Sequence, residues 1–224
     1  MTYLELVNRV LRRLREDDVA SVETNAYSKL IGELVNEAKR EVEDAFDWVA
    51  LRDTIQATTA SGEFRISFSN VGPRFKTLSV FDDTNDTYLE LKNSEWLSEQ
   101  FNTNPVSGKP LYYDYTGLDG DDYQMDLYPI PDGEYIININ LIRPQLDLSS
   151  DGTELKVHEY PVLLGAYAKA IAERGDDNGM QYQIAYKAYQ DALSDAIQID
   201  SRKNGGASLE WGCYPTKDNW HYGN

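Results

Sequence analysis

Positive charge, cysteine and long apolar runs are all scarce in this sequence. Its 21 lysines and arginines are outnumbered by 38 aspartates and glutamates, and the formal net charge of −17 argues against a protein that grips phosphate backbones. The single Cys213 cannot form an intramolecular disulfide, and the first residues lack the apolar run of a signal peptide, so we expect a reducing compartment such as the cytoplasm. No stretch approaches the roughly 20 apolar residues of a membrane span, so we expect a soluble protein.

The common motifs of metal, nucleotide and hydrolase chemistry are also missing. The sequence has no HExxH, CxxC, GxSxG, Walker loop or GxGxxG, and its two histidines, His158 and His221, are far apart. With 38 acidic residues some pair of carboxylates always looks suggestive, so such pairs are uninformative. We therefore predict no catalytic residue, no metal and no cofactor.

Residues 112–135 are rich in tyrosine and aspartate and raise the question of a calcium loop. An EF-hand loop requires acidic or amide ligands at its first and third positions and glycine at its sixth. With Gly120 at the sixth position the first is Tyr115, and the register on Gly133 fails in the same way. We predict instead a half-buried sheet whose strands are joined by an acidic turn at 117–122.

Besides this scaffold role, cation chemistry and carbohydrate or receptor binding stay open for residues 112–135. Asp119, Asp121 and Asp122 could hold a weak surface cation, and a metal-dependent hydrolase could use the segment from Asp119 to Asp126. The tyrosines together with Trp96 could form a flat platform for carbohydrate or a receptor. An acidic hairpin turn and packing tyrosines are the simpler interpretation.

The spacing of the apolar residues predicts an α+β fold. Helical spacing covers about 2–16 and 25–51, strand alternation follows, with a short helix at SEWLSEQF, and two more helices come after it. We predict a helical bundle of N- and C-terminal helices, an inserted antiparallel β domain and an extended C-terminal tail. The predicted segments are 1–54 for the N-terminal helices, 55–150 for the β domain, 151–200 for the C-terminal helical hairpin and 201–224 for the C-terminal arm.

The helical spacing also predicts which side chains face inward. In the second helix we expect Lys39 and Glu43 to belong to the ordinary polar back of an amphipathic helix. In the last helix, about 178–200, we expect one inward set: Ile184, Ala185, Ala188, Ala192, Leu193, Ala196 and Ile199.

Positive charge is concentrated in the first helix. Residues 1–15 carry Glu5 and four arginines and have a net charge of +3, which leaves −20 for the remainder. The arginines form either a solvated helix face or a contact with an acidic neighbouring subunit. They are Arg9, Arg12, Arg13 and Arg15.

The last 24 residues mix glycine, serine and asparagine with aromatic residues and have no periodicity. These aromatic residues are Trp211, Tyr214, Trp220 and Tyr222. They either lie on their own domain or anchor an extended arm on a partner, and we favour the arm.

The order of these segments resembles the head-to-tail connector, or adaptor, proteins of tailed bacteriophages, including the tail tubular protein A type. Four local sequences carry the resemblance: FDWVALRDT, TTASGEFRISF, PLYYDYTG…LYPIPDGEYIININLIRPQLDL and SDGTELKVHEYPVLLGAYAKAIAERGDDNGMQYQIAYKAYQDAL. The resemblance spans about residues 2–200. It implies a structural virion protein that forms a homo-oligomeric ring, usually a dodecamer, beneath the portal and presents a surface to the tail.

The resemblance also implies the partners. They are the portal protein, a tail or nozzle protein and other copies of the chain, with assembly in the host cytoplasm and no membrane. The C-terminal arm would dock onto the portal, and the arginine-rich first helix would bind an acidic surface of a neighbour or of the portal. A dodecamer with −17 per chain carries about −200 formal charges, and an acidic channel wall lets genomic DNA pass without specific binding.

Overall fold

The computed structural model describes residues 1–175 and 179–203. These residues form five α-helices and one seven-stranded sheet, which confirms the mixed α+β class. The helices are α1 (Tyr3–Arg13), α2 (Ala26–Ala45), α3 (Ser94–Thr103), α4 (Glu159–Arg174) and α5 (Met180–Lys203). The strands are β1 (Arg52–Thr58), β2 (Arg65–Phe68), β3 (Lys76–Asp82), β4 (Thr87–Leu91), β5 (Tyr112–Asp119), β6 (Asp122–Tyr128) and β7 (Ile136–Ile142).

Local capping signals set several helix ends. Thr2 and Glu5 form a capping box, in which the Thr2 hydroxyl accepts from the Glu5 N–H at 3.3 Å and the Glu5 carboxylate accepts from the Thr2 N–H at 2.9 Å. Asn93 caps α3 by accepting from the backbone N–H of Trp96 at 3.1 Å. Helix α4 ends at Gly175, whose φ of 67° is the left-handed conformation that glycine adopts readily.

Helix α2 is shorter than its apolar pattern predicts. It ends at Ala45 and not near residue 51, and Phe46 is extended with φ −158° and ψ 156°. Trp48 then turns back into the core, where its indole N–H donates to the carbonyl of Val42 at 2.6 Å. Apolar residues continue past the end of the helix because Trp48 and Leu51 are buried in the same core after the chain has left the helix.

Four helices from both ends of the chain contribute to one hydrophobic core. Helix α1 packs on α2 and α4, α2 packs on α4, and α4 packs on α5. Each of the four contributes buried residues, among them Leu6, Val35, Leu163 and Ala192. The approach of α1 to α2 is so close that a Cβ added at Gly32 would lie 2.3 Å from the Tyr3 hydroxyl.

The sheet has the strand order β1-β7-β3-β4-β5-β6-β2. Its neighbours are antiparallel except β4 and β5, which pair in parallel through Glu90–Tyr112 and Leu91–Tyr113. The prediction of an antiparallel sheet is wrong for β4 and β5. Helix α3 connects these two strands and returns the chain to the same end of the sheet, so they run in the same direction. Strand β1 carries the weakest strand signal in the sequence, because its half-buried side offers only Ile55 and Ala57 as apolar residues.

A second hydrophobic core lies within the sheet. Its buried residues come from β2 to β7 and include Met125, Leu127, Ile137, Ile139 and Leu141, each 0% exposed. Along β7, Ile137, Ile139 and Leu141 alternate with less buried residues, as the period of a strand requires.

A buried ionic cluster joins α2 to the segments that lead into β3 and out of β7. The side chains of Lys39 and Glu43 are both 0% exposed, and Lys39 Nζ lies 3.4 Å from Glu43 Oε1. Lys39 also donates to the carbonyl of Gln145 at 2.6 Å, while Glu43 accepts from Arg74 at 2.6 Å and from the Gln145 N–H at 3.1 Å. The prediction that Lys39 and Glu43 lie on an exposed polar face of α2 is therefore wrong, because two loops cover both side chains.

Candidate subunit and partner surfaces

The four predicted arginines lie together at the C-terminal end of α1. Arg12, Arg13 and Arg15 are exposed and Arg9 is half-buried, and Arg15 follows the helix with a φ of 63°. Cations are favourable here because the last carbonyls of a helix carry partial negative charge. These four residues are termed the arginine face.

The ion pairs of the arginine face are loose. Arg9 lies 3.6 Å from Glu159 and Arg12 lies 3.6 Å from Asp18, and all four side chains are between 42% and 59% exposed. Within the described ranges the other two arginines make no ion pair with a carboxylate. Exposed pairs of this kind contribute about 0–1 kcal/mol each, so Arg9 and Arg12 can exchange these pairs for a partner's carboxylates at little cost. Arg13 lies 5.5 Å from the centroid of the Tyr167 ring.

Helix α5 exposes apolar side chains that its spacing predicts to face inward. Ile184 and Ile199 are 67% and 53% exposed, and Ala188 is exposed as well. Met180, which was not in the predicted inward set, is 71% exposed. The residues that α5 does bury are Ala185, Tyr189, Ala192, Ala196 and Asp200. The prediction for Ile184, Ala188 and Ile199 is wrong for the single chain, because α5 has apolar residues on two faces and only one of them packs on α4.

The aromatic side chains of the suspected platform mostly pack within the molecule. The ring of Tyr115 lies 5.7 Å from that of Phe75, between centroids. Tyr112 and Tyr128 lie 4.9 Å and 5.7 Å from Trp96, so α3 rests on the outer side of β5 and β6 through these rings. These contacts favour the interpretation of the tyrosines as packing residues.

One aromatic pair lies outward on the sheet. Phe81 and Tyr88 are cross-strand partners on β3 and β4 with ring centroids 4.9 Å apart, and Tyr88 is 69% exposed. Beside Phe81 lies Asn138 of β7, whose amide oxygen accepts from the side chain of Gln56 at 3.2 Å. This part of the sheet is therefore a neutral surface of amides and rings on a strongly acidic chain.

The acidic segment between β5 and β6 is a tight hairpin turn. Asp119 pairs with Asp122 across it, and Gly120 has a φ of 62°. The turn is shorter than the predicted 117–122, because β5 continues past a register shift at Gly117 as far as Asp119. In the described parts of the chain, no three His, Cys, Asp or Glu side chains are grouped so as to hold a metal ion.

His158 lies between the ring of Trp48 and the carboxylate of Asp200. Its ring lies 5.3 Å from that of Trp48, and its Nε2 is 4.0 Å from a carboxylate oxygen of Asp200. Asp200 in turn accepts from the backbone N–H of Val49 at 2.8 Å and from Lys203 at 2.9 Å, so this group ties the end of α5 to the start of the sheet. None of the helices in residues 1–175 and 179–203 is long and apolar enough to cross a membrane.

The four aromatic residues of the predicted arm lie outside the described residues. They are Trp211, Tyr214, Trp220 and Tyr222. Their role therefore stays a prediction. Helix α5 runs to Lys203, so residues 201–203 at the predicted start of the arm are helical.

A family model described as SU10 adaptor protein matches residues 1–210. That range contains all five helices, the whole sheet, the arginine face and the exposed side of α5. Comparison with curated proteins gives no match. Because the family model covers most of the chain, this protein belongs to the SU10 adaptor protein family, the structural adaptors that act in tail assembly in bacteriophage virions.

Proposed function

We propose that this chain forms a dodecameric ring between the portal and the tail of its virion, around the DNA exit channel. The observation that carries the proposal is the match of residues 1–210 to the adaptor family. Its partners are the portal protein above and a tail or nozzle protein below, and the ring assembles in the host cytoplasm. The segment order supports a relationship to the tail tubular protein A type.

The C-terminal arm is the proposed anchor on the portal. Its aromatic residues, Trp211, Tyr214, Trp220 and Tyr222, are large amphipathic side chains of the kind that dominate interface energies. Because α5 ends at Lys203, the arm begins at or after residue 204.

Charge supports the passage of DNA through the ring. A dodecamer with −17 per chain carries about −200 formal charges, so a channel wall of this protein repels the phosphate backbone and holds no specific sequence. The arginine face would be spared from DNA contact because it binds a neighbouring subunit or an acidic surface of the portal.

Electron microscopy of the protein mixed with portal complexes of the same phage tests the anchor. A chain that lacks residues 204–224 should keep its melting temperature and lose attachment to the portal. A full-length chain with alanine at all four aromatic positions of the arm should behave in the same way. If both variants attach as the unmodified chain does, the arm is not the anchor.

A carbohydrate- or receptor-binding role is the second candidate, and one observation favours it. Tyr88 is 69% exposed beside Phe81 and the amide of Asn138, a combination that suits the flat faces and hydroxyl groups of sugars. A glycan array probed with the unmodified chain and with Tyr88→Ala tests this role. Binding that is lost in the variant would support it, and an array without signal would exclude the glycans present.

A further inference from the structure

We infer that the arginine face of one copy binds the exposed side of α5 on the next copy. This inference rests on the proposed ring and names the two surfaces that join its subunits. The exposed side of α5 consists of six residues at helical spacing, termed the α5 stripe: Met180, Ile184, Ala188, Asp191, Asp195 and Ile199.

A closed ring with one chain type needs two different surfaces, each repeated on every copy. Helices α1 and α5 both pack on α4, and the extensive helix contacts of the described residues do not include one between α1 and α5. The arginine face and the α5 stripe therefore lie on separate helices at different sides of α4. Surfaces placed in this way can meet head to tail without the two partners blocking each other.

The α5 stripe has the composition of a surface that is covered in an assembly. It is about 28 Å long, since a helix rises 1.5 Å per residue. Met180 and Ile184 form one apolar end and Ile199 the other, and each is more than half exposed in the single chain. A surface of this kind resembles the apolar patches that mark protein interfaces.

The middle of the α5 stripe carries two carboxylates, Asp191 and Asp195, that can bind arginine. Asp191 pairs with Lys187 at 2.6 Å in an exposed pair, and among the described residues Asp195 makes no ion pair. A guanidinium group binds a carboxylate through charge-assisted hydrogen bonds, and its aliphatic stem covers apolar surface at the same time. The arginine face thus matches both the carboxylates and the isoleucines of the stripe.

The same charges argue against a stripe that binds a second stripe. In a twofold pair of α5 helices, Asp191 and Asp195 of one copy would approach Asp191 and Asp195 of the other. Like charges across an interface cost several kcal/mol and suppress the wrong pairing. The partner of the stripe is therefore the cationic surface of the neighbour.

Charge reversal on each surface, and on both, tests the pairing with rings assembled on portal complexes. The first variant carries Arg12→Glu and Arg13→Glu, and the second carries Asp191→Arg and Asp195→Arg. Each should reduce the number of rings at least about tenfold, and the chain with all four changes should restore them, because the charges match again. Glu95→Arg with Glu99→Arg is the matched control, since both glutamates are exposed on α3 at the same spacing.

The outcomes separate this inference from the proposed function. If the unmodified chain forms no rings on the portal, the proposed function fails. If it forms rings and the two-residue reversals do so equally well, or if the four-residue variant does not recover, the pairing is overturned while the ring stands. Melting temperatures of all variants should stay within a few °C of the unmodified chain, because these side chains are exposed and a charge at a helix end contributes only about 0.3–1 kcal/mol. Ile184→Ala is a milder change that should also weaken the ring.

Discussion

Replacement of Glu43 by alanine is the sharpest test of how the helices hold the sheet. Glu43 is buried and accepts three hydrogen bonds, from Lys39, Arg74 and the backbone of Gln145. The substitution leaves the Lys39 ammonium buried with only carbonyl groups and Asp147, at 3.9 Å, to balance its charge. Burial already lowers the pKa of Lys39, which reflects the cost of keeping this cation away from water.

The expected loss is about 3–5 kcal/mol in the free energy of unfolding, the range for removing one partner of a buried ion pair. For a chain of this size each kcal/mol shifts the melting temperature by about 2–4 °C, so the shift is about 6–20 °C downward. The neighbouring pair of Arg40 and Asp147 is exposed, and breaking it by Arg40→Ala should cost about 1 kcal/mol or less.

Thermal and urea unfolding, followed by circular dichroism, measure these differences. A double variant, Lys39→Met with Glu43→Leu, separates charge from volume, since replacement of a whole buried pair by apolar residues is often neutral or stabilising. The double variant should therefore be more stable than Glu43→Ala. A Glu43→Ala variant that melts within 2 °C of the unmodified chain (less than about 1 kcal/mol) would refute the reasoning.

Three further predictions concern the packing of α1. Burial raises the pKa of Tyr3 from 10.0 to about 12. Between pH 10 and pH 12 the unfolded chain therefore loses the Tyr3 proton while the folded chain keeps it. The free energy of unfolding should fall by about 1.4 kcal/mol per pH unit over this range and be unaffected below pH 10. Denaturant unfolding measured between pH 9 and pH 12 should show a smaller fall in Tyr3→Phe than in the unmodified chain. The same pH dependence in both chains would contradict this prediction. Gly32→Ala should cost about 1–3 kcal/mol in denaturant titrations because its Cβ would clash with Tyr3, whereas Gly133→Ala, with open space around it, should change little. Thr2→Ala should cost about 1 kcal/mol in the same assay through loss of the capping box, and an unchanged midpoint would exclude that role.

The helices were predictable because their signals are local. The capping box at Thr2, the cap at Asn93 and the left-handed end at Gly175 are visible as short patterns, and all three occur in the structure. The end of α2 was not predictable, since Phe46 and Val49 keep the apolar spacing after the helix has stopped at Ala45. Strand β1 is hard to recognise in the sequence because its inward side offers so few apolar residues.

The interaction surfaces were only partly predictable. The arginine face is a charge cluster within one helix, so the sequence alone locates it. The α5 stripe could not be predicted from the sequence. Periodicity identifies an apolar helix face but does not show whether the same chain or another copy covers it. Only the packing of α5 on α4 shows that Ile184 and Ile199 remain exposed. Burial of Lys39 likewise depends on loops distant in sequence.

Electron microscopy of the full-length chain mixed with portal complexes is the most direct test of the proposed ring. We expect a closed ring of this protein on the tail side of the portal, with its channel aligned to the exit of the DNA. Portal complexes that stay bare at saturating protein concentration would contradict the proposed ring.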